Sequence, residues 1–457
     1  MFLRHDKIIA EGWWYPYRAE LKQSIYSISK SFTSTAIGFA VSEKLLSLND
    51  KVISFFPDEL PDTINPFLSE LTIKDLLTMS IGQDPDPTST VIRANDDWVK
   101  AFLSTPILNE PGTKFLYNSL GPYTLSAIVQ KVTGEKEIDY LKQKLFNPLE
   151  ITGIDWEIDP RGINTGAWGL RLKTEDMAKL GLLYLHKGLW NGKRILSEEW
   201  IDEATTAHII QSPDMLQSEK DASDWQQGYG YLFWRCRHGA YRADGAFGQY
   251  IIVMPEQDAV IVITSETPDM QDELNLVWKY LLPGFHKNKL PSNEKMTTTL
   301  NQKLSSLALP LSPNNFTSKL ANEISGKTFL INPNERKLEK ISFQFEDSTC
   351  QVTSKTDTAN YKISYGLGEW RFGKTTKPRP SLNYGVRAHL LGLPPSKIAG
   401  SYVWKDENTL ELVLRYIQSP HTERMVCSFN KNKILIEIYN SFEPESKKMI
   451  LIGELAE

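Results

Sequence analysis

Between Gly228 and Ser265 the chain turns from helical to β-rich patterning, and no other stretch constrains its fold as much. Tyr229–Trp234, Gly239–Ala243, Gly248–Met254 and Ala259–Ser265 are four runs separated by short turn segments, notably Pro255-Glu256-Gln257-Asp258. Runs of this kind joined by turns read as an antiparallel meander. The chain ahead of it reads differently. Phe2-Leu3-Arg4 and Lys7-Ile8-Ile9-Ala10 read as two short strands about a turn at His5-Asp6. Ser24 to Leu46 then reads as a helix, with Ala36, Ile37, Phe39, Ala40 and Leu45 at helical spacing and only Gly38 as a weak point. Thr72–Met79, Pro122–Thr133 and Thr174–Lys187 read as further helices. The first and last carry N-terminal chemistry in Thr72 with Lys74-Asp75 and in Thr174-Glu175-Asp176. A helix over Met270–Leu282 follows the meander. Strands at both ends of a helical block imply an α+β domain over residues 1–285, an antiparallel sheet flanked by helices, with the N-terminal strands joining the later ones.

Residues 286–325 read as a linker with one polar helix, punctuated by Pro291 and by Leu309-Pro310-Leu311-Ser312-Pro313-Asn314-Asn315. Strand signals dominate residues 326–457: Ile341-Ser342-Phe343-Gln344-Phe345 and Leu410-Glu411-Leu412-Val413-Leu414 alternate. Ile434-Leu435-Ile436-Glu437-Ile438 follows a turn at Asn430-Lys431-Asn432-Lys433. That segment is expected to be an all-β accessory domain, barrel or sandwich. The length, 457 residues, accommodates two or three domains at about 150 residues each.

Composition excludes several functions. With 51 Lys+Arg against 56 Asp+Glu the net charge is −5, so the chain lacks the basic footprint of a nucleic-acid binder. The three cysteines, Cys236, Cys350 and Cys427, are too widely spaced for a C-x-x-C zinc or redox site or a disulfide framework. Neither H-E-x-x-H, nor G-x-x-x-x-G-K, nor a Rossmann fingerprint occurs, so no metal, nucleotide or other cofactor is expected. The N-terminus carries no signal-peptide run, and no apolar stretch approaches the ~20 residues of a membrane span. The expected location is cytoplasmic, without membrane contact; a leader removed ahead of this numbering would leave the same sequence.

Three segments carry chemistry. Ser27-Ile28-Ser29-Lys30 places a hydroxyl and an amine about one turn apart on one helix face. The amine can take the hydroxyl proton once burial or a neighbouring cation lowers its pKa. The bland alternative is a helix cap and a solvated lysine, and the same spacing recurs at Ser292/Lys295 and Ser428/Lys431 in unsuitable settings. Pro111-Gly112-Thr113-Lys114-Phe115-Leu116-Tyr117-Asn118-Ser119 sets a tyrosine among hydrogen-bonding groups. Such a phenol can relay a proton if a nearby ammonium favours its phenolate; otherwise it is a core tyrosine. Arg242-Ala243-Asp244-Gly245-Ala246-Phe247-Gly248-Gln249 puts glycines at a strand edge, where a backbone can approach a ligand or a hairpin can turn.

Taken together, the three segments resemble the serine β-lactamase and penicillin-binding-protein superfamily, especially its class C-like esterase and amidohydrolase branch, which includes 6-aminohexanoate-oligomer hydrolases. The superfamily pattern is S-x-x-K, then Y-x-N or S-D-N, then K-T-G or H-x-G. Leu48-Asn49-Asp50-Lys51-Val52, Leu76-Leu77-Thr78-Met79-Ser80 and Trp168-Gly169-Leu170-Arg171-Leu172 add to the likeness, which covers roughly residues 1–285. The resemblance implies acyl transfer to a small-molecule amide or ester: Ser27 as nucleophile, Lys30 and Tyr117 sharing the base and acid roles, Ser119 supporting them. It implies an oxyanion hole from the N–H groups of Ser27 and Ala246. Ala243, Asp244, Gly245 and Trp168 are the implied substrate-binding positions. Two departures stand out. Ser119 replaces the usual Asn, and Ala243-Asp244 replaces a cation with a carboxylate nearby. The latter disfavours β-lactamase or D-Ala-D-Ala carboxypeptidase activity, unless Arg235, Arg237 or Arg242 faces the cleft. His238, close in sequence, is a further cleft candidate or a solvated loop residue. A catalytically degenerate binding protein is the remaining alternative, and the oligomeric state is not legible.

Overall fold

The computed structural model describes residues 1–313, 317–380 and 390–456, so Asn314 and Asn315 of the linker reading lie outside it. Over the described residues the chain forms two compact units. One takes in Met1–Glu11, Lys22–Thr297 and residues 390–393; the other takes in Gly12–Leu21 and residues 298–313, 317–380 and 394–456. The expected division at 285 and 326 thus differs from the structure at both ends. Gly12–Leu21 leaves the first unit because its partners lie elsewhere: the Tyr15 backbone bridges to Ala308, and the Leu21 side chain is buried with Trp370, Ala399 and Ile417.

The first unit is built on the meander. Strands β1 (Phe2–Arg4) and β2 (Lys7–Ala10) join β3 (Trp234–Arg235), β4 (Tyr241–Gly245), β5 (Gln249–Met254) and β6 (Ala259–Thr264). The antiparallel order is β2-β1-β6-β5-β4-β3, with Phe2 opposite Ile261. β5 has no polar alternation because both faces of the sheet are covered. Ile251, Val253, Val260 and Val262 face the large core, whereas Tyr250, Ile252, Met254 and Ile261 pack with Leu274, Val277 and Trp278. The expected strand at Tyr229–Trp234 is reduced to its end. Gly228 and Leu232 hold φ of +99° and +61°, which breaks the ladder, and Tyr229, Tyr231 and Phe233 serve the core instead.

Four helices matter to the site: α1 (Ser29–Ser42), α2 (Leu120–Thr133), α3 (Glu137–Leu141) and α4 (Thr174–Leu185). α1 is shorter than Ser24–Leu46 because Ser24 pairs with Arg171 and a 3-10 turn, Tyr26–Ile28, precedes the helix. It is buried almost all round despite six polar residues in its first two turns, and most of its hydroxyls find partners. Ser31 donates to Leu232 O at 2.8 Å, Thr33 to Gly166 O at 2.8 Å, and Thr35 shares a bond with Tyr184 at 2.8 Å. α4 crosses the sheet at Gly181, where a Cβ would lie 2.6 Å from Val260 and 2.9 Å from Ile251.

The second unit is all-β. Its strands are β7 (Thr328–Ile331), β8 (Leu338–Glu346), β9 (Thr349–Thr356), β10 (Asn360–Leu367), β11 (Arg371–Thr375), β12 (Ser396–Trp404), β13 (Thr409–Tyr416), β14 (His421–Asn430), β15 (Lys433–Asn440) and β16 (Met449–Leu455). The order β10-β9-β8-β7-β16-β15-β14-β13-β12 closes through a parallel pairing of β10 with β12, and β11 flanks β12. Of the two expected alternatives the structure is therefore the barrel, filled by Phe329, Phe343, Phe429 and Ile436. The polar helix of the linker reading spans Glu294–Ser305. Among the described residues no helix is long and apolar enough to cross a membrane.

Candidate active site

A kink presents Ser27. Tyr26 holds φ of +48°, a conformation that costs a side-chain-bearing residue energy, and its ring packs edge-on against Phe247 at 5.5 Å. Gly245 lets β4 run directly beside this kink: a Cβ there would lie 2.2 Å from the Ile25 carbonyl oxygen and 3.1 Å from Tyr26 Cβ. Gly245→Ala is expected to push β4 off the Ser27 turn and lower turnover of a p-nitrophenyl ester about 100-fold, since a displacement near 1 Å costs that much in positioned catalysis. Parental rates in the folded variant would refute the requirement for close approach.

Lys30, 1% exposed, places its Nζ 2.9 Å from Ser27 Oγ, 3.1 Å from Ser119 Oγ and 3.0 Å from Ala167 O. A carbonyl only accepts, so one N–H is committed to Ala167. With a second donated to Ser119, a neutral amine keeps its lone pair for the Ser27 hydroxyl. Burial pushes the Lys30 ammonium down to about 7, against the opposing pull of Asp244 and Asp86.

Tyr117 completes the cluster. Lys30 Nζ lies 4.8 Å from the centre of its ring, and the Ser27 hydroxyl acts to lower its pKa. Its segment is pinned by Gly112 N–H to Ser80 O at 2.8 Å and Leu116 N–H to Met79 O at 2.8 Å, and its ring stacks on Trp234 at 5.5 Å. Burial first, then the Asp244 carboxylate, raises its pKa well above the usual phenol range. An ammonium favouring the phenolate is therefore not the governing influence; the resting group is a phenol. Asn118 spends its carbonyl on Gly121 N–H at 3.0 Å, the first turn of α2, which leaves the Ser119 hydroxyl to meet Lys30.

The third segment corrects part of the sequence reading. Ala243 is 1% exposed within the large core, so its methyl group offers a substrate nothing. Arg242 and Asp244 share the other face of β4, with Arg242 Nε and Nη2 at 3.0 and 2.9 Å from Asp244 Oδ2. The buried guanidinium lies 4.4 Å from the Trp225 ring and 5.4 Å from the Trp234 ring. Arg237 pairs with buried Asp224 at 2.7 Å, and Arg235 donates to Thr205 O at 3.0 Å and Gly239 O at 3.3 Å. Each arginine thus has structural partners. Burial raises the Asp244 pKa, with Arg242 and Lys30 acting against it. Trp168 packs on Trp98 at 5.8 Å and accepts from Trp156 Nε1 at 2.8 Å; its neighbour Ala167, rather than its ring, reaches Lys30. His238 sets its ring against Trp278, 5.2 Å away.

Sequence reasoning missed the Ala167 carbonyl, Asp86 and the aromatic wall of Trp225, Tyr229 and Trp234. A backbone carbonyl leaves no residue signature, and the aromatics read as core. Among the described residues no group of three or more His, Cys, Asp or Glu side chains could hold a metal ion.

A family profile described as Beta-lactamase matches residues 1–282. The chain is 24% identical over 287 residues to a 6-aminohexanoate-dimer hydrolase of Paenarthrobacter ureafaciens, covering 59% of this chain and 72% of that one. It is 30% identical over 136 residues to Protein flp of Staphylococcus aureus strain N315, covering 29% and 27%. Among solved structures, a putative beta-lactamase from Bacteroides dorei DSM 17855 superposes with a TM-score of 0.50 at 18% identity, covering 59% of this chain and 86% of that one. A penicillin-binding protein homologue from Pyrococcus abyssi gives 0.47 at 19% identity, covering 95% and 89%.

Proposed function

Because the chain belongs to the Beta-lactamase family through residues 1–282, we propose that it is a serine hydrolase that cleaves an amide or ester through an acyl-enzyme on Ser27. The observation that carries this reading is Lys30 Nζ at 2.9 Å from Ser27 Oγ, its pKa brought by burial to about 7. A neutral amine there accepts the Ser27 proton as Oγ attacks the substrate carbonyl. The N–H groups of Ser27 and Ala246 stabilise the tetrahedral oxyanion. Tyr117, a phenol whose pKa the Ser27 hydroxyl influences, hands a proton to the leaving group in this reading; water then attacks the acyl-enzyme by the reverse relay. Relatives named as hydrolases support the enzyme class, and the 6-aminohexanoate-dimer hydrolase supports a linear amide as one substrate type.

Charge bears on the leaving group. The Asp244 carboxylate acts electrostatically on Lys30 and Tyr117, while Arg242 is committed to it and Arg237 to Asp224. A substrate carboxylate, as in a β-lactam or a D-Ala peptide, finds Arg235, Arg237 and Arg242 already committed to other partners. Phenyl acetate is therefore expected to exceed 3-carboxyphenyl acetate about tenfold in kcat/KM; a preference for the anionic leaving group would reverse the assignment and favour the β-lactamase or carboxypeptidase reading. The enzyme itself is tested with a fluorophosphonate probe. Labelling at Ser27, absent in Ser27→Ala, is the expected result. A folded protein that never labels favours the degenerate binder.

A further inference from the structure

The turn after β4 is gripped from behind by a side chain outside the Ser27–Lys30–Tyr117 cluster. Gln249, 1% exposed, holds its amide nitrogen 3.2 Å from Ala246 O, 3.2 Å from Phe247 O and 2.8 Å from Ser265 O. Ser265 Oγ lies 2.9 Å from Phe247 O and 2.9 Å from Gly248 O, and Thr267 N–H donates to Phe247 O at 3.2 Å. Three successive carbonyls are therefore met by donors from one side. The turn needs that support, because Phe247 and Gly248 hold φ of +68° and +83°, and for a phenylalanine this is costly. Gly248 is also what lets Ser265 in: a Cβ there would lie 2.1 Å from Ser265 Oγ.

We infer that Gln249 is a positioning residue for the oxyanion site, its carboxamide locking the turn so that the Ala246 N–H faces the carbonyl oxygen of a substrate on Ser27. The inference rests on the reading of Ser27 and Ala246 proposed above. An oxyanion donor helps only when it is aimed before charge develops, since reorganising it during reaction returns the gain. Tying down the Ala246 carbonyl fixes the 246–247 peptide plane; the Ala246 N–H sits on the other side of the same Cα, so only φ and ψ of that one residue separate it from the anchored plane. A methionine at 249 keeps length and apolar bulk but donates nothing to those carbonyls.

The test measures kcat and KM for a p-nitrophenyl ester, and binding of phenylboronic acid, whose tetrahedral serine adduct also requires the oxyanion donors. For Gln249→Met, kcat is expected to fall roughly 10- to 100-fold, short of the ~10²–10³ for outright loss of a donor. KM should stay within about twofold and boronate affinity should fall in proportion to kcat. Ser265→Ala, loosening the same turn through a second residue, is expected to show the same pattern at smaller size and serves if Gln249→Met does not fold. Unchanged kcat and boronate binding in the folded variants, or a loss confined to KM, overturns the inference. If the parent itself never labels with fluorophosphonate at Ser27, the underlying reading falls and takes the inference with it. A parent that labels beside a Gln249→Met that reacts at the parental rate sinks only the inference.

Discussion

Ser27→Ala is expected to lower turnover of a p-nitrophenyl ester by a factor on the order of 10⁴–10⁶, the range seen when a nucleophile is removed from a coupled catalytic set. The substitution deletes one oxygen from a position where Lys30 retains Ser119 Oγ at 3.1 Å and Ala167 O at 3.0 Å. No buried charge loses its last partner, so stability should change by no more than ~1 kcal/mol. Rates and thermal melts on the same preparation separate chemistry from folding. Residual turnover within tenfold of the parent would mean that another group attacks the substrate.

Lys30→Met is the second large effect. Removing a positioned base costs about 10²–10⁴ in kcat. The pH profile identifies the base. Only the neutral amine accepts a proton, so kcat/KM of the parent should climb as pH rises through about 7 and level above it. In Lys30→Met the rise should vanish together with most of the rate. A limb that persists unchanged in the variant assigns it to another group.

Stability moves in a linked way. The folded pKa of Lys30, about 7, lies below its ordinary 10.5, so between these values the unfolded chain binds the extra proton. Unfolding free energy of the parent therefore rises with pH across that window, and the burden of the buried amine is greatest below pH 7. Relative to the parent, Lys30→Met should gain stability as pH falls from 9 toward 7, by on the order of 2 kcal/mol at ~1.4 kcal/mol per unit. Denaturant midpoints at two pH values measure it.

Legibility followed how local each interaction is. The approach of Ser27 to Lys30 was readable because helical geometry alone brings residues three apart together. The meander was readable because β4, β5 and β6 carry their pairing in hydrophobic runs and turns. Tyr117 was readable only through its motif, since nothing local distinguishes it from the other tyrosines. Residues 12–21 were misassigned because burial of Leu21 against Trp370 and Ala399 depends on partners hundreds of residues away. Ala243 was read as a cleft position from motif order, but the face a strand residue presents is set by sheet packing, and here it turns into the core. The arginines defeated sequence reasoning for the same reason. Arg242 is neutralised by Asp244, two residues on, which alternation permits, and is wedged by Trp225 and Trp234, which no spacing announces.

By itself the amino-acid order determined the succession of helices and strands, the separate β-rich C-terminal segment, and the presence of a hydroxyl, an amine and a phenol in family-like settings. Those are consequences of periodicity and short-range geometry, which any isolated stretch expresses. Only tertiary structure decided that Lys30 sits dry enough to titrate near neutrality, that Tyr117 remains a phenol, that Ala167 lends a carbonyl, and that Gln249 braces the turn beside Ser27. Each of these depends on water excluded, or a donor supplied, by chain remote in sequence, and dehydration and long-range hydrogen bonding exist only once the segments have come together.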